Sequence, residues 1–168
     1  EHEIDGINQI LMPTIQSADI WKISDRYETY GKEMLRIQDR NKKELLYGPT
    51  NEEMMTSIGK GLLKSYKNLP LYFYHIQTKF RDEIRPRFGV MRAREFIMKD
   101  AYSFDKNEAN GEKTYENFYK LYLRIFKKLG IPIFPVKAPS GEIGGNLSHE
   151  FHLIVSSGES EIHVDQTL

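Results

Sequence analysis

Between Lys79 and Asp100 the chain sets seven basic side chains (Lys79, Arg81, Arg85, Arg87, Arg92, Arg94, Lys99) against four acidic ones (Asp82, Glu83, Glu95, Asp100). Over all 168 residues the charges balance, 24 Lys and Arg against 24 Asp and Glu, so the excess is local. Guanidinium groups are planar, permanently charged forks that match phosphate oxygens, and several on one strand–loop–strand segment point to a polyphosphate ligand. A solvated, salt-bridged hairpin is the bland alternative for any charged stretch, because exposed ion pairs contribute little. A second polar group, Thr50-Asn-Glu-Glu53, opens a segment of helical periodicity. None of the five histidines (His2, His75, His149, His152, His163) has metal-ligand spacing. His149 and His152, three apart on a strand, would point to opposite faces.

The elements that must carry these groups read as follows. Leu71–Phe80 is strand-like, entered at Pro70, and pairs across the arginine loop with the residues after Arg94. Met34–Asp39 and Glu44–Tyr47 form a second hairpin about a turn at 40–43. Thr50 as N-cap and Glu53 reaching back to it make a capping box. The helix behind it shows Met54, Met55, Ile58, Leu62, Leu63 and Tyr66 at helical spacing. Gly59 and Gly61 inside that helix cost roughly 1 kcal/mol each relative to Ala, so close packing against a neighbour is expected there. A polar connection, Asp105–Lys113, leads to a helix over about 113–129 whose stripe of Tyr115, Phe118, Tyr119, Tyr122, Ile125, Phe126 and Leu129 is read as core. Gly130 stands where a C-terminal cap belongs. Strands follow at 131–138, 150–156 and 161–164, with a glycine-rich turn at 140–146. The sum is an α+β fold, a mostly antiparallel sheet flanked by helices.

At 168 residues the expectation is about one domain, able to bury roughly two-thirds of its unfolded surface. Hydrophobic content of 39% is lean, which suits a protomer that hides surface in a partner. With no cysteine, a disulfide framework and a thiolate zinc site are excluded. No apolar run approaches the roughly 20 residues that span a bilayer, and the acidic start is unlike a signal peptide. Neutral net charge makes any RNA contact local. The start, without Met, reads as a piece of something longer.

The hairpin resembles motif 2 of the class II aminoacyl-tRNA synthetases. Phe80-Arg-Asp-Glu83 gives the aromatic-Arg-x-Glu half, and Arg92, Phe96 and Asp100 give the Arg-x-x-x-Phe-x-x-x-acid half. The loop wording, with Met98-Lys-Asp-Ala-Tyr-Ser-Phe104 after it, resembles the bacterial-type prolyl enzymes within that family, as does Tyr47-Gly-Pro-Thr-Asn-Glu-Glu53. The spacing from Gly6 to Pro13 resembles the end of motif 1, which pairs two subunits.

The resemblance implies activation of L-proline with ATP and Mg2+, transfer to the tRNA(Pro) acceptor end, a homodimer through the motif 1 region, and a cytoplasmic location. It assigns Arg81 to the substrate carboxylate and the α-phosphate, Glu83 to the adenine edge, Arg92 to the terminal phosphates and Phe96 to stacking on adenine. Thr50 and Glu52 would accept the two N–H donors of the proline ammonium. Ser148-His-Glu-Phe151 resembles a strand near the amino-acid pocket, so His149 and Glu150 are either pocket residues or ordinary strand residues. Arg85 and Arg87 are either solvated or in contact with tRNA. Nothing in the chain resembles motif 3 or an anticodon-binding domain, so residues 1–168 are read as a partial catalytic domain. A non-catalytic relative that binds an amino acid or adenylate is the alternative.

Overall fold

The computed structural model of the chain describes residues 1–140, 144–158 and 160–163. Its contacts divide it into two compact units, His2–Tyr115, and Glu116–Leu168 together with Glu1, where the length alone suggested one domain. Strands are mostly antiparallel and accompany helices, the α+β architecture expected.

The first unit is built on a long hairpin. β5 (Leu71–Phe80) and β6 (Glu95–Phe104) pair antiparallel without interruption, from Leu71 opposite Phe104 to Phe80 opposite Glu95. Side chains alternate across a strand. Phe73, His75, Lys79, Phe96, Asp100, Tyr102 and Phe104 therefore share one face. A short β1 (Asn8–Gln9) joins the sheet parallel to β5. The second sheet has β2 (Ile15–Ser17) and β3 (Arg36–Gln38) on either side of β4 (Glu44–Tyr47), which confirms the expected 34–47 hairpin. Trp21, Ala18, Tyr27, Met34 and Leu46 form its core, supplied partly by α1 (Ala18–Ile23) and α2 (Arg26–Thr29).

α3 (Glu52–Leu62) packs Met55 with Met12 and Phe73. The expected capping box does not form. Asn51 is the N-cap and makes no side-chain capping bond, while Thr50 Oγ1 donates to Glu52 Oε2 at 2.6 Å. Glu53 is buried and turns to Arg26 Nη1 (2.9 Å) and the Ser24 hydroxyl (2.9 Å), charge-assisted partners stronger than a backbone amide. Tyr66 lies outside α3, in a separate 3-10 turn capped by Ser65. Within residues 6–13, Met12 is buried, Ile10 packs against the same cluster, and Leu11 is exposed.

α4 (Glu108–Lys128) starts well before the expected 113. Asn107 Oδ1 accepts the Asn110 N–H at 3.0 Å, so the polar run read as a connection contains the helix start. In the first unit, the buried Thr114 hydroxyl donates to Asp105 Oδ1 (2.9 Å). In the second unit, Tyr119, Tyr122 and Phe126 surround the Phe151 ring, with centroids 5.5, 5.6 and 6.2 Å away. The stripe thus packs around Phe151 but is half-buried rather than core: Leu129 is exposed, and the buried apolar residue of the helix there is Leu121, outside the stripe. β7 (Phe134–Lys137) and β8 (His149–His152) pair antiparallel and are shorter than expected, each as long as its partner allows. Glu161–His163 form no strand, and Val164 and residues 141–143 lie outside the described residues.

Candidate active site

Thr50 and Glu52 sit where the chain leaves β4 and enters α3. Glu52 Oε2 takes both the Thr50 hydroxyl and Arg26 Nη1 (3.2 Å), and Oε1 has no hydrogen-bond partner among the described residues. The Arg26 guanidinium also covers the Trp21 ring, 5.1 Å from its centroid. Arg26 binds both adjacent carboxylates from 26 residues away. No short sequence pattern announces it.

Beneath this pair lies a buried charge cluster on the inner face of the hairpin. Asp100 Oδ2 is 2.8 Å from His75 Nε2, Asp100 Oδ1 is 3.3 Å from Lys79 Nζ, and the Tyr102 hydroxyl donates to Asp100 Oδ2. His75 and Lys79 are 0% and 1% exposed. Burial alone would raise the Asp100 carboxyl, but hydrogen bonds from His75 and Tyr102 and the charge of Lys79 outweigh it and hold it below the ordinary carboxylate value. Burial, and then the Asp100 acceptor, push the Tyr102 phenol up, so it keeps its proton. Burial lowers the Lys79 ammonium, with Asp100 opposing. Of these residues only Asp100 is a defining position of the motif, as its terminal acid. His75, Lys79 and Tyr102 lie on one face at even spacing across the hairpin, a pattern that becomes visible once the register is known.

Arg81 follows β5 directly. Its backbone N–H continues the ladder to Arg94 O (2.8 Å), its Nε donates to Pro49 O (3.3 Å), and its guanidinium lies over Phe96, 5.5 Å from the ring centroid. Arg81, Phe96 and Thr50–Glu52 are thereby brought together. Glu83 shares no strand face with Arg81. The strand has ended at Phe80, and Glu83 folds back with its N–H on Arg81 O (2.7 Å) and Oε1 accepting from Arg85 N (2.8 Å). Arg92 sits further out, its backbone paired with Arg87 in both directions (3.0 and 3.2 Å). Between them Ile84, Phe88, Val90 and Met91 are exposed around Phe88 and Gly89, both at positive φ. His149 lies in β8 of the second unit, its ring edge-on to Tyr119 at 5.2 Å.

A carboxylate–hydroxyl pair at the start of a helix, a guanidinium over an aromatic ring, and an antiparallel hairpin that carries the latter define a recognisable architecture. The chain belongs to the tRNA synthetase class II core domain family (G, H, P, S and T), whose description matches residues 33–165. Within that family it is 57% identical over 166 residues to the proline--tRNA ligase of Methylobacterium sp. (strain 4-46), covering 99% of this chain and 37% of the relative. It is 58% identical over 161 residues to the proline--tRNA ligase of Brucella abortus (strain S19), covering 96% and 36%. The chain thus spans little more than a third of these relatives' length. Giardia lamblia prolyl-tRNA synthetase, solved in complex with prolyl-adenylate, shares the fold with a TM-score of 0.74 at 24% identity, over 81% of this chain and 29% of that one.

Proposed function

We propose that the chain supplies the amino-acid and nucleotide half-site of a proline--tRNA ligase, which activates L-proline with ATP to prolyl-adenylate and transfers it to tRNA(Pro). The observation that carries this is the anchoring of Arg81 Nε on Pro49 O, the residue directly before Thr50. An amino acid has a cationic and an anionic end, and the anchor sets an anion-binding fork beside a cation-binding pair. The 57% and 58% identity to proline--tRNA ligases favours proline as the amino acid.

In this reading Thr50 and Glu52 take the secondary ammonium, with Glu52 Oε1 the open acceptor. Arg81 bridges the carboxylate and the α-phosphate. Attack of the carboxylate oxygen on that phosphorus expels pyrophosphate, a step governed by positioning and charge stabilisation rather than by an acid–base residue. Phe96 offers a face for adenine, Glu83 its edge contact, and Arg92 a fork for the terminal phosphates. Magnesium arrives with the ATP phosphates. Among the described residues no group of three His, Asp or Glu could hold a metal ion. A homodimer through the motif 1 region and a cytoplasmic location belong to the same proposal. No helix of the described residues is long and apolar enough to cross a membrane.

The test is proline-dependent exchange of pyrophosphate into ATP by the protein expressed from its complete reading frame. Arg81→Ala should lower the rate by about a hundredfold, on the order of 3 kcal/mol. Glu52→Gln should weaken proline binding by roughly 2–3 kcal/mol and leave ATP binding unchanged. Adenylate binding without any exchange would favour the non-catalytic reading.

A further inference from the structure

The polar groups under the Thr50–Glu52 pair form one directed chain. Trp21 Nε1 can only donate, and it donates to Gln16 Oε1 at 2.8 Å. That fixes the Gln16 amide, so its Nε2 faces Asn51 Oδ1 and donates there. Asn51 is fixed in turn, and its Nδ2 points at His75 Nε2 (3.0 Å) and Gln77 Oε1 (3.5 Å). Each amide orientation follows from the one before it, starting at an indole that admits one choice. Gly48 makes the approach possible, since a Cβ there would collide with the Gln16 amide.

At His75 the direction meets a conflict. Nε2 faces a donor in Asn51 Nδ2, a second donor in Lys79 Nζ (3.4 Å) and an acceptor in Asp100 Oδ2 (2.8 Å). One ring nitrogen cannot both donate and accept. The shortest contact is to a carboxylate, so the proton sits on Nε2 and is given to Asp100. The Asn51 amide then falls to Gln77 Oε1, which lies further away. Nδ1 of His75 is buried with no hydrogen-bond partner among the described residues.

Asn51 stands between Thr50 and Glu52 in the chain. Its N–H donates to the Tyr102 hydroxyl (3.2 Å), which itself donates to Asp100. Thr50 O accepts from Gln16 Nε2 (3.4 Å). Both its backbone and its side chain thus tie the pair above to the buried groups below. We propose that Asn51, held by Gln16, Gln77 and the Tyr102 hydroxyl, is a positioning residue that sets the Thr50–Glu52 pair for the substrate ammonium, and that His75 supports it through Asp100, the carboxylate it shares with Tyr102. The inference deepens the function proposed above and rests on it. A glutamine at 75 would separate the two conflicting roles, its amide N–H donating to Asp100 while its carbonyl oxygen accepts from Asn51.

Four variants of the complete protein, Glu52→Gln, Asn51→Ala, His75→Leu and His75→Gln, test this in pyrophosphate exchange, with KM for proline, KM for ATP, kcat and thermal midpoint recorded for each. Asn51→Ala and His75→Leu should raise KM for proline tenfold or more, with KM for ATP and kcat within threefold of the parent. His75→Gln should restore KM for proline to within twofold. If Asn51→Ala does not fold, the His75→Leu and His75→Gln pair carries the test. If Glu52→Gln raises KM for proline and the Asn51 and His75 variants do not, the positioning role is wrong while the function stands. Equal rises for proline and ATP with a lowered midpoint would show a merely structural role and overturn it as well. Absence of proline-dependent exchange in the parent defeats the function and this inference together.

Discussion

Thr50 and Glu52 rest on charge: Arg26 grips Glu52 from one side, and the Asp100 cluster holds Asn51 from below. Glu83 and Arg92 rest on backbone, each held by short-range pairing where the hairpin has run out of strand. Phe96 and Arg81 stand at the junction, one on the last turns of the ladder and one just past it. The contrast has a physical sense. A small cationic end must be recognised by two or three groups at fixed separation, which demands support in a dry interior. A long polyphosphate can be met by long side chains whose reach compensates for looser placement. Substitutions of supporting residues on the amino-acid side should therefore move stability, and substitutions on the nucleotide side should move ligand binding alone.

The largest effect should come from Asp100→Ala. It strips the partner from the buried Lys79 ammonium and from His75 Nε2 in one step, and breaking a buried pair from one side typically costs about 3–5 kcal/mol. Chemical denaturation would measure it. The pH dependence carries the same signature. The Asp100 pKa is lowered in the folded state, so its contribution is fully present above the unfolded carboxylate value of about 3.9 and is lost as pH falls through the lower folded value. The stability gap between parent and Asp100→Asn should therefore narrow on acidification below about pH 4. A gap that does not change with pH would mean that Asp100 is not the charged hub of the cluster. Arg92→Ala on the nucleotide side should change stability by less than about 0.5 kcal/mol while weakening ATP.

Next in size is Arg26→Met, which keeps an unbranched apolar stem but removes the guanidinium that lies over Trp21. The Glu53 side chain is 4% exposed and would keep only the Ser24 hydroxyl, so a loss of roughly 2–4 kcal/mol is expected. Glu53→Gln in the same background should recover part of it, because the uncompensated charge is then gone. If the double variant is no more stable than Arg26→Met, the cost lies in packing rather than in charge.

Much of the hairpin was legible in advance because its information is local. Leu71–Phe80 is rich in aromatic and β-branched residues after Pro70, the motif spacing sets the loop, and the ladder follows from both. Thr50, Glu52, Arg81 and Phe96 were named from the motif resemblance, and the structure brings them together. The support beneath them was not legible. Arg26 reaches Glu52 and Glu53 across 26 and 27 residues, and Gln16 reaches Asn51 across 35. Such pairs depend on tertiary register, which propensity does not carry. The misread cap at Thr50 has the same origin: Thr-x-x-Glu is a sound local rule, overridden because a guanidinium and a hydroxyl waited for Glu53 elsewhere in the fold. The start of α4 failed differently, since Asn107 as a cap looks like any other residue in a polar run.

The smallest effects compare two glycines one turn-side apart on α3, the helix that carries Glu52. The sequence treats Gly59 and Gly61 alike, as breaks in helical propensity that close packing should explain. The structure separates them. A Cβ on Gly59 would stand 2.9 Å from Cζ of the Phe104 ring, on the last residue of β6, whereas a Cβ on Gly61 would meet nothing within 4 Å. Phe104 packs against the cluster of Met12, Met55 and Phe73 and has little room to move. Gly59→Ala should therefore lose about 1–3 kcal/mol to overpacking, offset by up to about 1 kcal/mol of helix propensity. Gly61→Ala has only the propensity term and should gain a few tenths to about 1 kcal/mol. Opposite signs at two positions of equal chemistry would locate the contact between helix and hairpin at Gly59. Gains at both would show that Phe104 yields, and that the helix bearing Glu52 is less firmly seated on the sheet than its neighbours on the amino-acid side require.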